Sequence, residues 1–224
     1  MADAAMQARR SASSPRLALA FVLLALGGFA ALAGQMHHAA TAHWDEAALQ
    51  LAQQWRATHP LVDMVMREFS ALGSTPVLTL FTVLAAGYLC CVGRPARAAA
   101  VSVAMITGAL AVTALKTAFG RARPDPEFAA LVQEGLSFPS GHASMSAVFY
   151  LTVGTLIAQR HARLRERSFL MAAAVFMAVL IGVTRVMLGV HWASDVLAGW
   201  AFGAGWAALW FCIAARLRDA RGPG

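Results

Sequence analysis

Charge is scarce in this sequence. Of its 224 residues only 13% are Asp, Glu, Lys or Arg, against about 25% in ordinary soluble domains. Hydrophobic residues reach 59%, against about 45–50%, and mean hydropathy is +0.60. A water-soluble globular domain is excluded, as are disordered, collagen-like and disulfide-scaffold chains. Lysine is almost missing: Lys116 stands alone, so arginine carries the formal net charge of +7. Most arginines flank apolar blocks, where they set membrane orientation. The interleaved aromatics of a nucleic-acid surface are lacking, and no nucleic-acid partner is expected. Cysteine is limited to Cys90, Cys91 and Cys212, without metal-ligand spacing, and these read as small buried hydrophobes. Carboxylates do not cluster as a magnesium site requires, so neither metal nor cofactor is expected.

What is present is a series of long uncharged runs. Residues 17–33, 77–92, 98–115, 143–158, 169–183 and 196–214 read as six spans of an all-α polytopic membrane bundle. The expected layout is a cytoplasmic tail at 1–16, one membrane domain at 17–215, and a second cytoplasmic tail at 216–224. The first run follows Arg9, Arg10 and Arg16 and ends near Ala31 and Ala33, as cleavable signals do; its length and the spans after it favour an uncleaved anchor. Residues 35–73 are amphipathic. Trp44, Ala48, Leu51 and Trp55 recur at helical spacing, as do Leu61 or Val62, Val65, Phe69 and Leu72, giving a helix pair at the membrane interface. His59 before Pro60 separates the two. Gly73, Ser74, Thr75 and Pro76 supply a stop, capping hydroxyls and a proline for a first helical turn.

Orientation follows from the basic residues. Arg9, Arg10 and Arg16, then Arg94 and Arg97, then Arg160, Arg163, Arg165 and Arg167, then Arg216, Arg218 and Arg221 fall on one side, which is cytoplasmic. Without the first segment the other five spans keep this orientation. The outer side holds Arg56, Arg67, Lys116, Arg121, Arg123 and Arg185.

Ionisable residues at span ends are functional candidates, and three outer stretches are dense in them. A phosphate monoester is held by neutralising its oxygens. Lys116, Arg123 and Arg185 offer three positive charges, with the paired donors of arginine suited to phosphate. Ser140, Gly141 and His142 stand where a loop meets a span, so open amides and the helix dipole favour an anion there. Gly141 permits close backbone approach, and the Ser140 hydroxyl can cap the helix or bond a phosphate oxygen. His191 and Asp195, four apart, share one helical face. A carboxylate on one ring nitrogen frees the other as a nucleophile.

The pattern Lys116, Arg123-Pro124, Pro139-Ser140-Gly141-His142, then Thr184-Arg185, His191 and Asp195 resembles the type 2 phosphatidic acid phosphatase superfamily over about residues 69–205. Thr184 stands where that family usually has serine. The resemblance implies that His191 attacks phosphorus and Asp195 orients it, that His142 protonates the leaving alcohol and then activates water, and that no metal takes part. It implies a membrane lipid phosphate as partner: undecaprenyl pyrophosphate, phosphatidylglycerophosphate or phosphatidic acid, with lipid A phosphatases and phosphotransferases as alternatives. A non-enzymatic lipid or anion carrier needs the cations but no nucleophile. Soluble vanadate-dependent haloperoxidases share the motifs, and six spans argue against them.

Ordinary roles are expected for the remaining polar residues. Span-end cations commonly snorkel. Arg121 lies off the family pattern and is expected to face solvent or headgroups. His37, His38, His43 and His59 read as surface histidines, and His161 as part of the basic cytoplasmic turn. Asp45 and Glu46 read as the acidic first turn of a helix. Trp192, Trp200, Trp206 and Trp210 lie in or beside the last span, and Trp192, which could touch a lipid headgroup, reads as an ordinary interfacial anchor.

Overall fold

In the computed structural model the described residues are 2–36 and 38–219; His37, Arg221 and the last residues of the C-terminal tail lie outside them. Among the described residues there are eight α-helices and one 3₁₀ turn, Pro126–Phe128, with no strand. The helices are α1 Ala2–Gln35, α2 Ala39–Thr58, α3 Pro60–Ala71, α4 Thr75–Cys91, α5 Pro95–Phe119, α6 Gly141–Ala158, α7 Leu164–Met187 and α8 Ala193–Asp219. At the centre α6 packs on α7 and α8; α1 lies along α8 and α4 along α5.

Five segments are long and apolar enough to cross a membrane: Ala18–Gln35, Pro95–Phe119, Gly141–Ala158, Leu164–Met187 and Ala193–Arg216. The sixth expected span falls in α4. Its 17 residues reach only about 26 Å, short of the roughly 30 Å hydrocarbon core. Only when joined to α3, across a 41° bend, is it long and apolar enough, as a broken span or a re-entrant pair. Ser74 occupies the N-cap of α4 and Pro76 its first turn, as read from the sequence, but no side chain caps the helix.

The amphipathic helices carry their apolar stripes outward. On α2, Leu51 is 58% and Trp55 53% exposed, while Thr41, Asp45, Leu49 and Ala52 face the bundle. A lipid-facing surface is apolar, so Leu51 and Trp55 can be left outside while a mixed stripe, Thr41 and Asp45 beside Leu49 and Ala52, packs against protein. The same logic corrects the reading of the cysteines. Cys90 and Cys91 are exposed and Cys212 half-buried, because α4 meets its neighbours along one stripe and turns the rest outward.

Close approach of α8 to α6 depends on Gly199 and Gly203, a small-residue pair one turn apart. A Cβ on Gly199 would lie 2.9 Å from the Ala143 Cβ and 3.0 Å from the Ser140 carbonyl; one on Gly203 would lie 2.6 Å from the Ala147 Cβ and overlap the Ser144 carbonyl. This contact sets the start of α6 against the start of α8. Gly203→Val is therefore expected to destabilise the bundle by about 2–3 kcal/mol, read as a fall in unfolding temperature in detergent. An unchanged temperature would show that the helices can move apart freely.

Candidate active site

The C-terminal ends of α5 and α7 and the N-terminal ends of α6 and α8 meet at one end of the bundle. Each catalytic candidate stands on or beside one of these ends. Beneath them the loop residue Phe138 is fully buried, with its ring against Phe29 of α1 at 5.7 Å and Phe119 of α5 at 5.0 Å. This anchor fixes Pro139 and Ser140 at the mouth of α6, and the Ser140 amide donates to the Asp195 carbonyl at 3.0 Å.

His191 and Asp195 meet with Nδ1 to Oδ2 at 3.2 Å, both inaccessible to solvent. They do not share a helix face as the spacing suggested. His191 lies in the turn before α8 and Asp195 in the first turn, where its Oδ2 also accepts the Trp192 amide at 3.1 Å. On the far side of the ring, Arg123 Nη1 stands 3.1 Å from Nε2. Arginine has donors only, so Nε2 accepts and the ring proton sits on Nδ1, facing the carboxylate. The unprotonated nitrogen therefore points at a cation, which is where an anionic substrate would be held.

Burial holds the His191 imidazole well below the ordinary histidine range, helped by the charges of Arg123, Arg185 and Lys116. Burial likewise lowers Arg123. For His191 the sign is decisive: protonation would consume the free lone pair of Nε2, and a lowered value displaces that loss to more acidic pH. After correction for substrate ionisation, kcat/KM is expected not to fall between about pH 7 and 5.5, where an ordinary imidazole of pKa about 6.5 becomes charged. An acid limb near 6.5 that belongs to His191 would contradict this.

Lys116, in the last turn of α5, donates to the Leu136 carbonyl at 2.6 Å. Its chain passes over Gly141, where an added Cβ would lie 3.9 Å from the lysine Cε. Arg123 is held by the Gly135 carbonyl at 3.0 Å and the Val190 carbonyl at 2.8 Å. Arg185, in the last turn of α7, reaches the Ser70 hydroxyl at 2.5 Å and the Gln133 carboxamide. Its buried Nε has no hydrogen-bond partner, and neither has the buried Ser140 hydroxyl. Ser140 is the N-cap of α6 by position, yet its side chain caps nothing. Of its two expected roles, phosphate contact is the one left open. His142 stands in the first turn of α6, within electrostatic range of Arg185, His191, Arg123 and Lys116. Thr184 turns its hydroxyl to the Ile181 carbonyl of its own helix at 2.6 Å, so it makes a local bond rather than a pocket contact.

Two expectations need correction. Arg121 is not solvated: its side chain is 11% exposed and pairs with Asp195 at 2.6 Å and Asp45 at 2.8 Å. Asp45 is not a first-turn dipole residue. It lies in the second turn of α2, fully buried, and accepts the Ser194 amide at 2.8 Å and hydroxyl at 2.5 Å. Bundle contacts of α2 bury the face that carries Asp45, and a buried carboxylate needs such partners. Trp192 lies 5.4 Å from the Arg121 guanidinium and donates to the Ala122 carbonyl at 3.0 Å. Ser70, Gln133 and Ser194 escaped sequence reasoning altogether, since single polar residues in polar stretches carry no periodic signal.

The loop before the site is sewn down at several points. Arg56 donates to the Phe128 carbonyl at 2.5 Å, Arg67 to the Ala130 carbonyl, and the Ala130 amide to the Leu188 carbonyl at 2.9 Å. Gly189, with φ of +70°, lies so close that an added Cβ would fall 2.5 Å from the Phe128 carbonyl carbon and 3.2 Å from the Ala129 Cα.

Three cations, two histidines and an aspartate bonded to one of them converge at one end of a membrane bundle, an arrangement suited to holding a phosphoryl group as membrane phosphatases do. Residues 97–219 match the PAP2 superfamily, and the chain belongs to that superfamily. It is 31% identical over 177 residues to phosphatidylglycerophosphatase B of Bacillus subtilis, covering 78% of this chain and 85% of that one. Over 126 residues it is 35% identical to a lipid A 1-phosphatase of Rhizobium johnstonii, covering 52% of this chain and 46% of the relative. In structure it is similar to the transmembrane PAP2-type phosphatidylglycerolphosphate phosphatase of Bacillus subtilis, with TM-score 0.79 and 28% identity over 90% of this chain and 97% of the other. To Aquifex aeolicus LpxE the TM-score is 0.53, with 26% identity over 73% and 92%.

Proposed function

We propose that this membrane lipid phosphatase hydrolyses a glycerolipid phosphate of the phosphatidylglycerophosphate kind through a phosphohistidine on His191. The observation that carries the mechanism is the hydrogen-bonded line from Arg123 through Nε2 and Nδ1 of His191 to Asp195. Lys116, Arg123 and Arg185, with the Ser140 hydroxyl and the first amides of α6, would neutralise and hold the phosphate oxygens. Nε2 attacks phosphorus, the phosphorus–oxygen bond to the lipid breaks, and His142 gives its proton to the departing alkoxide. His142 then takes a proton from water, the resulting hydroxide attacks phosphorus, and inorganic phosphate leaves as the phosphorus–nitrogen bond breaks.

A site opening to the periplasm or cell exterior is supported by the ends of the helices. Arg94 and Arg97 begin α5 and Arg160–Arg167 follow α6, so these basic turns lie at the opposite end of the bundle from Lys116 and Gly141. The basic end is the cytoplasmic one.

Favouring a glycerolipid rests on the similarity that extends over nearly all of the Bacillus phosphatase structure. Against it stands the local identity to lipid A 1-phosphatases. Purified enzyme offered phosphatidylglycerophosphate, phosphatidic acid, undecaprenyl pyrophosphate and lipid A is expected to show its highest kcat/KM on the first. A higher value on lipid A would replace this reading with the second. Binding of all four without phosphate release would mark a carrier.

A further inference from the structure

Four cations surround the phosphate pocket, and one of them is used differently. Lys116, Arg123 and Arg185 lean on carbonyls and neutral side chains, contacts that an anion can replace. Arg121 has both terminal nitrogens committed to carboxylates: Nη1 to Asp195 Oδ1 at 2.6 Å and to the Ser194 hydroxyl at 2.7 Å, Nη2 to Asp45 Oδ2 at 2.8 Å. The line Arg123, His191, Asp195 thus continues through Arg121 to Asp45 on the interfacial helix α2, 150 residues from Asp195 in sequence. Asp45 is completed by the amide and hydroxyl of Ser194 at the start of α8.

We infer that Arg121 and Asp45 are positioning residues for the nucleophile, an ion pair that fixes the Asp195 carboxylate without adding net charge to the pocket. The inference rests on His191 being the nucleophile. Arg121 occupies Oδ1, so Oδ2 is left to hold the Nδ1 proton of His191. Asp45 shares the guanidinium, which keeps Arg121 from drawing charge away from that bond. Removing Arg121 alone leaves two buried carboxylates, Asp45 and Asp195, without the cation that both now contact. Like charges so placed take up a proton, and a protonated Asp195 orients His191 poorly. The charged and titratable groups facing this pair are Arg121 and Arg123 from the loop, Lys116 from α5, His142 from α6, Arg185 from α7 and His191 before α8. Only Arg121 contacts both carboxylates.

The test is a double-mutant cycle on purified protein with a lipid phosphate, reading kcat, KM and pH dependence. Arg121→Met is expected to lower kcat at neutral pH about 100-fold with KM changed less than about threefold, and to add an acid limb, so that activity partly recovers as pH rises. Arg121→Met combined with Asp45→Asn, which removes both charges, is expected to regain at least about tenfold over Arg121→Met and to lose that limb. Asp45→Asn alone, the variant least able to disturb folding, is expected to lower kcat several-fold with KM unchanged. A raised KM with unchanged kcat in Arg121→Met would make Arg121 a phosphate ligand and overturn the inference. So would unchanged kcat, or a loss with neither acid limb nor rescue. His191→Ala in the same assay separates the two levels: activity there removes the nucleophile reading itself, whereas an inactive His191→Ala beside an unimpaired Arg121→Met removes only this inference.

Discussion

Replacing His191 by alanine is expected to lower phosphate release by at least about 10⁴-fold, the scale on which covalent catalysts respond to loss of their nucleophile. Lys116, Arg123 and Arg185 remain in that variant, and each is held by contacts other than His191. Substrate binding should therefore survive, with KM or the dissociation constant within a few-fold of wild type. Helix content and detergent behaviour should also survive. The imidazole sits in a turn and its removal leaves Asp195 with Arg121 and the Trp192 amide as partners. An active His191→Ala protein would mean that water attacks phosphorus directly, with the cations alone supplying the acceleration.

Gly189→Ala is expected to be the most damaging single methyl group that can be added near the site. The position combines a left-handed backbone with overlap of the Phe128 carbonyl. Relief requires the segment after the 3₁₀ turn to lift away. That segment is held by Arg56, by Arg67 and by the Leu188 carbonyl, and it carries Gln133 to Arg185. The strain and lost contacts together should destabilise the protein by about 3 kcal/mol or more. Activity should fall with them, because the turn from Leu188 to His191 is displaced. A variant with wild-type unfolding temperature and activity would show that this loop is free to move and has no part in forming the pocket.

The sequence made the chemistry more legible than the architecture around it. Lys116, Arg123, Ser140, Gly141, His142, Arg185, His191 and Asp195 can be read out because they stand in the polar stretches between apolar runs, where ionisable groups are conspicuous, and follow a motif pattern there. Their convergence is the work of helix ends, which the runs themselves delimit. The pairing of His191 with Asp195 was legible for a reason that does not apply: helical spacing suggested it, while a turn leading into α8 achieves it. Arg121 and Asp45 were not legible. In water, Trp44, Leu51 and Trp55 would mark the inner face of α2. Beside lipid they mark the outer one, and the acid opposite them is buried against Arg121. Sequence distance compounds the difficulty, since nothing near Asp45 shows that the first turn of α8 will cover it. The same inversion explains why Cys90 and Cys91, apolar by context, are exposed on α4. Five of the six expected crossings were legible as hydropathy; the sixth run is the short α4, which reaches span length only together with the bent α3.

The most direct measurement is the fate of the phosphoryl group during a single turnover. Wild-type protein mixed briefly with phosphorus-32-labelled lipid phosphate, then quenched in alkali, should retain label that acid releases, and peptide mapping should place it on His191. His191→Ala protein should retain none. Label that resists acid, label on Ser140, or continued turnover with no protein-bound phosphate at any time would contradict the account.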